Sequence, residues 1–331
     1  MKVMRIWFAC SLAMALTLVF DWNYGFLAVI VPVFVLNARP KRSISAILMV
    51  TFSIVFAAIE ATFILELFQA HPVLFAIVVG ISMLTKCIAM MYHVSHLFGF
   101  GGIVVSSMVY NLASYDFFDI SDFNVNLLVL MLASMAIYAL AYCFFPDREQ
   151  PQIPPHPPEK SANDKVSQVA MGWLIAMLVF FVFQTMDLFD SLSALVSVLI
   201  ILSPLTLTGT IGMGKVRVIG TGLGCLIGLA LQIILGKWFG NTLLFWLGYT
   251  LAVGAIAKLF GKGLVQAGIG FSAIAALSVP LTTTLVPEQQ DATFAYLYRF
   301  SSIFVAVLAT TAVMYLIDRP LNRFSQKPQV N

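Results

Sequence analysis

Charge is what this chain has least of. Of 331 residues, 18 are Lys or Arg and 15 are Asp or Glu, about a tenth of the total, where a soluble domain carries about a quarter. So few charges cannot cover a globule with a water-solvated surface, which excludes an ordinary soluble domain. The net charge of +3 says little by itself, and no nucleic-acid partner is expected. Cysteine is nearly as scarce. Cys10, Cys87, Cys143 and Cys225 each sit inside an apolar run, which excludes a disulfide framework and any zinc spacing and leaves them as small packing residues. Catalytic and nucleotide-binding signatures are missing: there is no GxxxxGK(S/T), HExxH, GxSxG or Rossmann fingerprint. No soluble segment is large enough to house such a site. An enzyme, a resident cofactor or metal, and an ATP-driven pump are therefore not expected.

Apolar residues fill the space. They make up 60% of the chain, and the mean hydropathy is +0.96. Twelve runs approach the length that a bilayer core demands: 6–20, 24–37, 43–68, 73–92, 97–112, 125–145, 167–186, 191–208, 216–236, 241–257, 263–284 and 293–317. The expected fold is all-α, a polytopic transmembrane helical bundle of about 12 spans. The second run is short and holds Pro32, which predicts a broken or tilted helix. The first run follows Lys2 and Arg5 like a signal peptide but lacks a small-x-small cleavage site, so it reads as a retained helix.

Basic residues set the orientation. With both ends inside, fifteen of the 18 Lys and Arg residues fall on inner loops and ends. Lys237 lies outside, while Lys86 and Arg299 sit in or at the edge of spans. The outer loops carry Asp116, Asp119, Asp122, Asp187, Asp190, Glu288 and Asp291. Both termini are expected in the cytoplasm.

The hydrophilic segment DREQPQIPPHPPEKSANDK, from Asp147 to Lys165, reads as an extended proline-rich tether. It divides the chain into a first six-span half (1–146), a cytoplasmic linker (147–166), a second six-span half (167–318) and a tail (319–331). The halves read as two six-helix repeats. An offset of 172 pairs Pro32 with Pro204, Glu60 with Gln232 and Lys86 with Lys258. Each half also closes on a similar stretch, Tyr142 to Arg148 and Tyr315 to Arg319. With six spans per half, the repeats are related by an axis along the membrane normal.

Ionisable groups at membrane depth are the candidate site residues, because each costs at least about 2.5–3.5 kcal/mol at a helix centre. Glu60 lies about 12 Å inside the outer end of its helix, at about 1.5 Å per residue. Either it is a buried carboxylate that holds helices together or it couples protons to transport, with a neutral Gln232 at the matching position. Glu66, near the outer boundary, reads as interfacial. Lys86 and Lys258 either snorkel to the cytoplasmic face or form a pair of inner-side cations that attract an anion. Arg42 and Arg217, at the cytoplasmic start of each third span, add to that field or simply report topology. The fifth span of each half is rich in Gly and hydroxyl residues: Gly101, Ser106 and Tyr110 in one, Gly270 and Ser278 in the other. Glycine-interrupted helices at matching positions point to a transport path, and close helix packing is the other reading. His93 and His96 lack further ligands and read as an interfacial pair.

The stretch from Lys215 to Gly228 is similar, at Arg217, Gly220, Thr221 and Gly224, to the basic-then-RxxGTxxG segment of the fusaric acid resistance and aromatic acid exporter family. Trp22 with the run ending near Pro32 resembles that family's opening. Ser43-Ile44-Ser45 replaces the expected glycine, and the family's large cytoplasmic domain has no counterpart here, so the resemblance is to a membrane-only branch. It implies efflux of small aromatic or weakly acidic anions across a bacterial inner membrane, with a periplasmic membrane-fusion adaptor and an outer-membrane channel as partners. The expected function is therefore a proton-coupled exporter of small organic anions in the lipid bilayer, with homo-oligomerisation left open. A passive anion channel, a membrane-embedded enzyme and an assembly subunit without transport of its own are the rival readings.

Overall fold

The computed structural model describes residues 1–38, 42–92, 95–113, 115, 118–146, 162–186, 192–238, 240–283 and 292–325, with 162–164, 237, 281–283, 292, 293 and 318–325 described by backbone alone. The proline-rich stretch 147–161, Arg39, Lys41, His93, Asp116, Asp187, Asp190, Glu288 and Asp291, all used in the reading above, lie outside the described residues.

Among the described residues the secondary structure is entirely helical. The α-helices are α1 (Lys2–Phe20), α2 (Phe26–Ala38), α3 (Ile44–Phe68), α4 (Pro72–Met91), α5 (His96–Leu112), α6 (Ile120–Phe144), α7 (Ala162–Thr185), α8 (Leu192–Leu202), α9 (Leu207–Leu235), α10 (Thr242–Ala257), α11 (Leu264–Thr283) and α12 (Ala292–Ser325). Each of the twelve apolar runs is a helix. Among the described residues, eight are long and apolar enough to cross a bilayer: α1, α3, α4, α6, α7, α9, α10 together with the 3-10 turn Lys258–Gly261 that follows it, and α12. The chain is a multi-pass membrane protein.

Three helices are short, α2, α5 and α8, the second on either side of the proline-rich stretch and the fifth on the first side; α11, with 20 residues, equals α4 in length. At about 1.5 Å per residue, the 13 residues of α2 reach about 20 Å against a hydrocarbon core of about 30 Å. Apolar composition alone could not separate these from full spans. The run 191–208 shows why. Its helix stops at Leu202, Pro204 follows outside it, and Leu205 takes a left-handed backbone with φ 53°. Pro32, by contrast, is carried inside α2. Several helices start earlier than expected: α1 at Lys2, α6 at Ile120, α7 at Ala162 and, by the widest margin, α9 at Leu207.

The helices form two compact units, each drawing on both sides of the proline-rich stretch. One comprises Met1–Thr51, Ser121–Ile153 and Lys215–Ser301; the other comprises Phe52–Ile120, Pro154–Gly214 and Ser302–Asn331. In the first unit, α1 packs on α2 and α10, and α11 packs on α2 and α10. In the second, α7 packs on α8 and α4, and α5 packs on α8 and α4. Each unit thus joins the first two helices of one side to the fourth and fifth of the other. The polar ties correspond as well. In the first unit the Trp7 indole N–H donates to the Thr250 carbonyl (3.0 Å), and Tyr249 and Ser278 share a hydroxyl bond (2.8 Å). In the second the Trp173 indole donates to the Gly80 carbonyl (2.8 Å), and Tyr110 and Ser82 share a bond of 3.3 Å.

Glycine lets helices within a unit approach to backbone contact. A Cβ at Gly224 of α9 would lie 2.3 Å from the Ala273 carbonyl oxygen of α11. The Gly220-Thr221-Gly224 segment therefore packs one helix against another. Gly224→Ala is expected to destabilise the protein by about 1–3 kcal/mol, the usual cost of overpacking. Gly212→Ala, where nothing lies within 4 Å of an added Cβ, is expected to be neutral or mildly stabilising. Unfolding of both variants in mixed micelles checks the contrast.

Candidate functional site

Glu60 and Lys86, two carriers of charge that sequence placed in separate roles, meet in the second unit. Lys86 Nζ lies 2.7 Å from Glu60 Oε2, and the side chains are 3% and 24% exposed respectively. The same ammonium donates to Ser82 Oγ at 2.6 Å, and Ser82 Oγ bonds the Tyr110 hydroxyl. Carboxylate, ammonium and two hydroxyls form one chain across α3, α4 and α5.

The local geometry follows from helix direction. Side chains lean toward the N-terminus of their helix, so Lys86 extends one turn back to Ser82 rather than onward to the nearer end of α4. Snorkelling is therefore not what this lysine does. Helix α5 makes room. A Cβ at Gly99 would lie 2.4 Å from the Lys86 carbonyl oxygen, and one at Gly102 would lie 3.2 Å from Lys86 Cε. Gly99, Gly102, Ser106 and Tyr110 share the face of α5 turned to α4, at three- and four-residue spacing. Ser106 is fully buried, and its hydroxyl has no hydrogen-bond partner among the described residues. The Tyr110 ring is boxed by Phe75 and Phe180, with centroids 5.9 and 6.2 Å away. Gln184 Nε2 donates to the Tyr110 carbonyl at 2.9 Å.

The remaining candidates fall elsewhere. Gly101 faces Ser53, whose hydroxyl donates to the Phe98 carbonyl at 2.5 Å, a packing contact between α3 and α5. In the first unit, Gly270 packs on Phe260, and Ser278 bonds Tyr249 and the Ile274 carbonyl. Lys258 is exposed in a short 3-10 turn (Lys258–Gly261) that follows α10. Gln232 has a buried Oε1 without a hydrogen-bond partner among the described residues. The pairs Glu60/Gln232 and Lys86/Lys258 therefore share sequence position but not environment. Arg42 is exposed just before α3, as expected, and Glu66 is exposed near the end of α3. Arg217 is different. Because α9 starts ten residues earlier, Arg217 lies about 15 Å into the helix at about 1.5 Å per residue, and it is 3% exposed. Arg299 of α12 is buried too, and the two guanidiniums lie within electrostatic reach of each other. Sequence reasoning placed Arg299 in or at the edge of a span without naming it a site residue; its apolar flanks were the available signal. Among the described residues, no group of three or more His, Cys, Asp or Glu side chains is placed to hold a metal.

Residues 2–141 match the model of a family described as a protein of unknown function (DUF2955). The similarity covers α1 to α5 and nearly all of α6. No curated protein and no solved structure matches the chain.

Removing one member of a buried pair leaves the other uncompensated, which costs about 3–5 kcal/mol; Glu60 retains some exposure, which places the cost here near about 3 kcal/mol. Lys86→Gln and Glu60→Gln should each destabilise, and the double variant should recover much of that loss. A double-mutant cycle on unfolding in mixed micelles reads it, and strict additivity would mean the pair carries no coupling.

Proposed function

We propose that this protein is a transporter that moves small organic anions across the membrane, with the Glu60–Lys86 pair as its working site. The observation that carries this reading is the ion pair itself, within a membrane-spanning helix bundle. Ionisable side chains at this depth are costly and mark substrate or proton pathways, and packing alone could be served by apolar residues at lower cost. Lys86 supplies a cation for an anionic substrate, Ser82, Ser106 and Tyr110 supply hydroxyls, and the Phe75–Tyr110–Phe180 cluster supplies an aromatic wall. That set suits a small aromatic acid.

The chain is read here as two six-helix repeats. The equivalent packing within the two units and the equivalent Trp and Tyr–Ser bonds support this, as does the extent of the family match, which ends close to the first predicted boundary. Short helices at the second position of both repeats, and at the fifth position of the first, support a transport site. By the distribution of Lys and Arg, both termini are cytoplasmic. By resemblance to the aromatic acid exporters, the protein sits in a bacterial inner membrane, works in efflux with proton coupling at Glu60, and meets a periplasmic adaptor.

Reconstitution in liposomes loaded with 4-hydroxybenzoate tests the reading. Protein-dependent, saturable efflux is expected. It should fall at least about tenfold in Lys86→Gln and stay near the parent level in Lys258→Gln. Efflux no faster than from protein-free liposomes would overturn the assignment.

A further inference from the structure

The Glu60–Lys86 pair also constrains the sign of coupling between proton and substrate. We infer that a proton and an organic anion occupy this site together, one of each, so that the protein moves them in the same direction and efflux proceeds where the outward gradient of the anion exceeds any inward gradient of protons. The inference rests on the transport reading above and adds to it the charge logic of the site.

Lys86 Nζ has Glu60 and Ser82 as its hydrogen-bond partners at 2.7 and 2.6 Å. With two of its three N–H donors used by Glu60 and Ser82, the ammonium can take an incoming carboxylate on the third. Two carboxylates then share one cation in a low-dielectric setting, and binding a proton at Glu60 Oε2 removes the excess negative charge. The converse holds as well. A proton taken up by Glu60 first leaves the Lys86 ammonium uncompensated, and an anion neutralises it. Each ligand raises the affinity for the other by the same factor, as linkage requires.

Counting charge shows why both must bind. The empty site, Glu60 carboxylate with Lys86 ammonium, is neutral. The doubly loaded site, protonated Glu60 with Lys86 ammonium and a monovalent anion, is also neutral. Proton alone leaves one positive charge, and anion alone leaves one negative charge. A net charge in the interior of the spanning bundle reduces the population of such a state by about a hundredfold. The two neutral forms are therefore the ones that can reorient, which suppresses leak of either species alone.

No neighbouring group absorbs this logic. Helix α5 contributes Tyr110 at the site, and α4 contributes Cys87 beside Lys86. Beyond Lys165, α7 carries no titratable side chain, and α8 carries none. Glu66 is exposed further along α3, and His71 and His96 stand at helix ends. The unbonded, fully buried hydroxyl of Ser106, one turn from both Gly102 and Tyr110, offers a donor that the empty site does not use.

The test uses liposomes carrying the full-length protein, loaded with 4-hydroxybenzoate and a pH-sensitive dye at pH 7.5, with the potential clamped by potassium and valinomycin. Co-movement predicts that efflux alkalinises the lumen at one proton per anion, at a rate that does not vary with the clamped potential. In Glu60→Gln the empty site keeps a positive charge. Net efflux should drop at least about tenfold and the pH signal should vanish, while exchange of internal for external anion continues. Lumen acidification, or efflux without a pH change that follows the potential, would overturn the inference and leave the transport reading standing. Absence of any protein-dependent flux would remove the transport reading as well. If Glu60→Gln does not assemble, the stoichiometry of the parent protein alone decides.

Discussion

A charge within a bilayer must be matched, and in the second unit one contact does the matching. The Lys86 ammonium and the Glu60 carboxylate neutralise each other across α4 and α3, and much of the surrounding packing serves that contact. Gly99 brings the backbone of α5 onto that of α4, Gly102 leaves space beside the lysine stem, and Ser82 takes a second proton of the ammonium. Replace any of these with a bulkier or mute residue and the pair would lose its fit or part of its solvation. The interaction stabilises only because every partner is present, which is the usual condition for a buried ion pair.

The first unit shows what the same packing looks like with different polar chemistry. Its Trp and Tyr–Ser ties correspond to those of the second unit, yet position 232 is Gln and Lys258 is exposed. Its buried cations include Arg5, Arg217 and Arg299, from α1, α9 and α12. Two similarly packed units thus differ in their polar centres: guanidiniums in one, a carboxylate–ammonium pair in the other.

Which of this was legible in the sequence follows from what each signal measures. Hydropathy located all twelve helices, because apolar length is what it reports. It did not show which runs fall short of a full span, because helices such as α8 end at a local break, Ser203-Pro204 with a left-handed Leu205, inside an apolar run. Glu60 and Lys86 were each recognisable as out of place in lipid. Their pairing was not, since they stand 26 residues apart on successive helices and the direction a lysine leans depends on its helix rather than on the nearer membrane face. Arg217 looked like a loop residue because glycines at 209, 212 and 214 precede it, and weak helix formers suggest a later start. Tertiary packing overrode that local preference.

The crossed make-up of the two units bears on how the protein is made. Helix α1 is among the first segments to leave the ribosome, yet its indole and carbonyl partners on α10 lie 243 and 235 residues further along the chain. The second unit is completed by α7, α8, the start of α9 and most of α12, and the first by the rest of α9, α10, α11 and the start of α12. Until then α1 and α2 sit in the membrane with their eventual interface facing lipid or an insertion factor, and six helices of either side alone contain neither unit. Synthesis runs from one end to the other, but assembly must reach back across nearly the whole chain, because the helices that complete the first unit are among the last to be made.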